Sequence, residues 1–81
     1  MNVKFVLTAT SVVFGDRDYR NDYHDDVARR NFLTRQQIRG GGIADLTAKR
    51  IFGTSYGFGP YSPEVVRQLL PDWQVDPPSD Y

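Results

Sequence analysis

The chain has 81 residues, ten Lys plus Arg against ten Asp plus Glu, one histidine and no cysteine. That length holds one domain with a small core and not two. The composition excludes a disulfide framework, a thiolate zinc site and a multi-histidine metal centre, and the balanced charge leaves no whole-molecule field to draw the chain to nucleic acid or membrane. Hydrophobic residues make up 40% of the chain, which supports a folded core over disorder. No run is long and apolar enough to span a bilayer.

Residues 3–14 read as one long strand, rich in Val, Phe and Thr. Val3, Phe5, Leu7 and Ala9 would face one side, and Lys4, Val6, Thr8 and Thr10 the other. An early lysine before an apolar run also outlines a secretory signal. Three hydroxyl residues interrupt that run, and no small-x-small site precedes Gly15, so a strand and a cytoplasmic location are expected. A hairpin inside 3–14 is not expected, because the stretch lacks Gly, Asn and Asp for a turn. Its partner would be residues 73–75, part of 54–61, or the same strand of a second copy, which would make a homodimer.

Residues 15–26 hold five Asp, one Asn and one Gly and read as a loop. Asp25 or Asp26 would start a helix over 26–33 that buries Val27, Ala28 and Phe32. Thr34-x-x-Gln37 is a capping-box pattern for a short helix over 35–39, and Gly40-Gly41-Gly42 would stop it. Ile43, Leu46, Thr47 and Ile51 share one face of an expected helix over 43–52, with Gly53 as its C-cap. Residues 53–61 read as a loop or an irregular edge ribbon. Ser62-Pro63-Glu64 is the clearest helix start, followed by Val65, Val66, Leu69 and Leu70 on one face and a stop at Pro71. Residues 77–81 read as a frayed tail behind a single domain over 1–76. The expected fold class is α+β, with one long N-terminal strand in a small antiparallel sheet packed by two to four short helices.

Catalytic signals are weak. His24 lies among Asp22, Asp25 and Asp26, which would raise its pKa and keep it charged. A triad with Ser11, Ser55 or Ser62 has no nucleophile-elbow motif behind it, so the expectation is no enzyme and no catalytic residue. Asp16, Asp18 and Asp22 resemble the opening of a calcium loop, but Arg20 takes a ligand position and no Glu closes it. No metal and no cofactor are expected.

Charge is uneven along the chain. From Ala28 to Leu70 seven basic residues stand against two acidic ones. Arg29, Arg30, Arg35, Arg39, Lys49 and Arg50 would form a basic helical face, and 34–39 followed by 43–52 would be a distorted helix-turn-helix. A small nucleic-acid-binding protein is the alternative reading on that ground.

The five tyrosines all fall in expected loops or the tail, beside Gly, Ser, Asn, Asp and Arg. That mixture combines rigid aromatic area with adaptable polar groups, as binding loops do. Tyr61, next to the helix cap, is expected to fold over the core. The preferred reading is a non-enzymatic protein-binding module that occludes or bridges a larger protein or protein complex. Tyr19 and Tyr23 would be its anchors. Asp16, Asp18, Asp22, Asp25 and Asp26 would pair with a basic groove, and Tyr56 and Phe58 would contribute from the second loop. Small inhibitors of the kind phages and mobile elements encode have this size and character.

Overall fold

The structure, a computed structural model, describes residues 1–16 and 23–79. Five strands form one sheet: β1 (Asn2–Thr8), β2 (Val12–Phe14), β3 (Ile38–Asp45), β4 (Arg50–Phe52) and β5 (Gln74–Val75). Their order is β2-β1-β3-β4-β5. Helices α1 (His24–Arg30) and α2 (Pro63–Leu69), with a 3₁₀ turn over Arg35–Gln37, complete an α+β fold. The sheet is mixed and not purely antiparallel, since β5 runs parallel to β4. The chain between them crosses over through α2, the kind of connection that parallel neighbours require.

The expected single strand over 3–14 is instead a hairpin. Thr8 supplies the turn: its Oγ1 accepts the amides of Thr10 (3.3 Å) and Ser11 (3.0 Å), and its own amide donates to the Ser11 carbonyl (2.9 Å). A hydroxyl thus replaces the Gly, Asn or Asp that a short turn usually uses. β1 is paired on both sides, by β2 and β3, so its partner is none of the three segments expected. A second copy could not add to β1 itself, because the outer edge on that side belongs to β2.

The glycine triplet does not end a helix. It lies inside β3, opposite the most buried part of β1, with Phe5 facing Gly42 and Val6 facing Gly41. Between Val6–Thr8 on β1 and Gly41–Ile38 on β3 the ladder shifts by one residue, and Gly40 sits in that bulge with φ +119°. Bulges of this kind favour glycine, which tolerates positive φ. The helix expected over 43–52 is also absent. Ala44 and Ile51 pair across β3 and β4 and are fully buried, and residues 46–49 form the connecting turn. Asp45 Oδ1 organises that turn by accepting the amides of Thr47 (3.0 Å) and Ala48 (3.1 Å), a side-chain turn that competes with helix. Gly53 follows a strand, not a helix, at φ +77°.

α1 starts two residues earlier than expected, with the Asp26 carboxylate accepting the Tyr23 amide at 3.2 Å. It buries Val27 and Ala28 but not Phe32, which is 92% exposed. The helix ends at Arg30 in a paired closure: Leu33 N–H donates to Ala28 and Phe32 N–H to Arg29. That motif needs a left-handed residue, and Phe32 takes it at φ 57°, which throws the ring into solvent. α2 begins as its sequence indicates. Ser62 Oγ accepts the Val65 amide, Pro63 opens the helix, and Val66 is buried.

The main core lies between α2 and one sheet face, built from Val3, Phe5, Leu7, Ala44, Ile51, Tyr61, Val66 and Val75. Trp73 stacks on Phe14 at its margin, with centroids 5.4 Å apart. The Ser79 amide donates to the Gly53 carbonyl, so the expected tail is tied to the fold at that residue. On the opposite face α1 packs mainly on β1 and β2, with Val6 and Val27 fully buried, and reaches β3 through His24. The part of that face it leaves open carries Lys4 and Ile43, both half-buried. Among the described residues no helix is long and apolar enough to cross a membrane.

Candidate functional site

The open part of the face is roofed into a cavity of about 510 Å³. Lys4 of β1 and Ile43 of β3 form its floor. Tyr23, His24 and Asp25 come from the head of α1, Arg35 from the 3₁₀ turn, and Ser55, Tyr56, Gly57 and Phe58 from the segment after β4.

Two sets of bonds bring these distant segments together. The 55–59 turn closes on itself: Ser55 Oγ accepts the Phe58 amide (3.2 Å), and Gly59 N–H donates to the Ser55 carbonyl (2.8 Å). It then docks on β3, where Gly41 N–H donates to Gly59 (3.1 Å). The head of α1 is pinned by His24 Nε2, which donates to the Gly42 carbonyl at 2.8 Å. Gly41 permits both approaches. A Cβ there would lie 3.0 Å from the His24 ring and 3.2 Å from Ser55 Cβ.

Lys4 Nζ stands 5.9 Å from the Tyr23 ring centroid. The Arg35 guanidinium stands 5.6 Å from the centroid of Phe58 and donates to the Gly57 carbonyl at 3.2 Å. Each cation therefore braces an aromatic wall. Tyr23 is 68% and Tyr56 82% exposed, so both rings present most of their area to solvent at the rim.

His24 corrects an expectation. Its pKa is lowered, not raised: burial penalises the charged ring, and Lys4 adds repulsion, while the bond to Gly42 opposes them in part. The unfolded chain then takes up a proton before the folded one as pH falls. The associated stability is present above pH 6.5 and is lost as pH drops through the folded value. Urea unfolding at about pH 7.5 and about pH 5 should show wild type weakening, with His24→Gln losing less over the same interval.

Of the residues expected to bind a partner, Tyr23, Asp25, Tyr56 and Phe58 meet at this cavity. Asp16 is exposed outside its lining, and Tyr19, Asp18 and Asp22 lie outside the described residues. Asp26 serves α1 instead: its carboxyl is held below the usual range by the Tyr23 amide and then by Arg29. Tyr61 is 2% exposed against the core, as expected, and donates to the Asp76 carbonyl. Burial pushes its phenol up to about 12.

The basic residues share no helical face, and the helix-turn-helix is not formed. Arg29 and Arg30 end α1, and Arg29 pairs with Asp25 (3.6 Å) and Asp26 (2.5 Å). Arg35 belongs to the cavity, and Arg39 lies in β3 beside the Thr8–Ser11 turn. Lys49 is in the 46–49 turn, and Arg50 on β4 donates to Asp76. Lys4 and Ile43 were not expected at a site, and Ser55, which lines the cavity with His24, was weighed only as a triad partner of that histidine. Lys4 had a signal: a cation in an otherwise apolar strand, on the face opposite Phe5. Comparison with protein-family models, curated proteins and solved structures finds no match to this chain.

Proposed function

We propose that the protein is a non-enzymatic protein-binding module that docks through the head of α1 and the 55–58 turn onto a larger protein, and acts by occluding or bridging it. The observation that carries this reading is the convergence of Tyr23 and Tyr56. They are distant in sequence, both largely exposed, and line one cavity. Exposed aromatic rings around a concave apolar patch are the usual anchors of such contacts. Asp25 adds a carboxylate to the cavity rim, 3.6 Å from Arg29.

The test is capture from native-host extract with and without nuclease, followed by affinity measurement on the recovered protein. Tyr23→Ala combined with Tyr56→Ala should cost no more than about 1 kcal/mol of stability, since both rings are largely exposed and Tyr23 loses chiefly its contact with Lys4. Affinity should fall about a hundredfold, corresponding to about 1.4 kcal/mol for each ring. Unchanged affinity in that variant would reject the reading. Recovery that depends on nucleic acid would move the protein to the alternative class.

A further inference from the structure

We propose, on the basis of the protein-binding reading above, that the cavity receives an acidic side chain carried beside an aromatic residue on a segment of the partner. The charge in the cavity points to the acidic group. Lys4 and Arg35 both line it, and neither pairs with a carboxylate among the described residues. Arg35 commits one nitrogen to Gly57, and a guanidinium has further N–H groups to offer. Lys4 is half-buried over an aromatic ring, where an arriving carboxylate is screened less than in open water.

The walls point to the aromatic neighbour. Ile43, Phe58, Tyr56 and Tyr23 supply apolar area, and the volume of about 510 Å³ exceeds what a carboxylate alone fills. A nucleic-acid strand fits less well. It needs a basic track along its backbone, whereas Asp25 sits on this rim and Arg29 and Arg50 are already bound to carboxylates.

Amide shifts of the ¹⁵N-labelled full chain test this with four probes at one salt concentration. These are the capped tetrapeptides Gly-Glu-Trp-Gly, Gly-Gln-Trp-Gly and Gly-Lys-Trp-Gly, and a short oligothymidine. The Glu peptide should shift the amides of Ile43, Ser55 and Gly57 and saturate near about 1 mM. The Gln peptide should bind about fivefold more weakly and the Lys peptide more weakly still. Lys4→Gln with Arg35→Gln should erase the preference for Glu, with a dispersed spectrum confirming the fold, while Lys49→Gln in the remote turn should keep it. Equal binding of the Glu and Gln peptides, no shifts up to about 10 mM, or tighter binding of the oligonucleotide at the same amides would overturn the proposal. If the peptides fail but the tyrosine substitutions still abolish capture, the acidic-ligand inference alone falls. If capture ignores the tyrosines, the docking reading falls with it.

Discussion

Gly40→Ala should cost about 3–4 kcal/mol, enough to leave a domain of this size largely unfolded. Two independent terms add. Gly40 holds φ +119°, a backbone region that side chains with a Cβ rarely adopt. A Cβ there would also lie 2.3 Å from the Pro60 carbonyl oxygen and 2.7 Å from its carbon. Both atoms are backbone, so no rotamer change relieves the contact. Relief requires the 55–60 ribbon to lift off β3, which takes Ser55, Tyr56 and Phe58 out of the cavity wall. Gly57→Ala is the matched control. A Cβ at Gly57 meets nothing within 4 Å, and its backbone is not in the positive-φ region. Its stability should stay within about 0.5 kcal/mol of wild type. Urea midpoints for the two variants decide the matter. A Gly40→Ala midpoint equal to that of Gly57→Ala would mean that the bulge and its contact with Pro60 are not as described.

Phe5→Ala should cost about 3–5 kcal/mol, by removing a fully buried ring from the centre of the main core. Phe5 packs at 5.4 Å between centroids on Tyr61 and occupies the space left by Gly42. A Cβ at Gly42 would stand 2.9 Å from the Phe5 ring and 3.0 Å from that of Tyr61. Glycine and aromatic are therefore matched across the β1–β3 ladder, and the ring has no substitute from a neighbouring side chain. Phe14→Ala, on the half-buried edge strand, should cost clearly less. Chemical denaturation of both variants, with loss of dispersed methyl resonances as a second readout, checks the ranking. Equal losses at positions 5 and 14 would place the core elsewhere.

Both outcomes turn on contacts between segments far apart in the chain, which explains which expectations failed. The 43–52 stretch has apolar residues at helical spacing, yet Ala44 and Ile51 also alternate correctly for two strands joined by an Asp45 turn. Periodicity over ten residues does not separate these solutions, and pairing with β1 decides between them. The hairpin in 3–14 was hidden because hydroxyls, not glycine, build its turn. Of the candidate site, the aromatic rim at Tyr23, Tyr56 and Phe58 was legible as loop tyrosines and a phenylalanine amid glycine and serine. The floor at Lys4 and Ile43 was not, because a strand shows its two faces in sequence but not which one remains uncovered.

The amino-acid sequence by itself determined the α+β class, the strand character of residues 3–8, the cap and start of α2, and the placement of Tyr23, Tyr56 and Phe58 outside the regular elements. Each of these rests on local chemistry: side-chain alternation, a serine that accepts the Val65 amide, glycines that break regular backbone. Only the tertiary structure decided that Gly40–Gly42 is the centre of a sheet and not the end of a helix. A glycine's local preference is for freedom, and here the main chain of Pro60, the carbonyl of Phe52 and the ring of His24 occupy the space that a side chain would need.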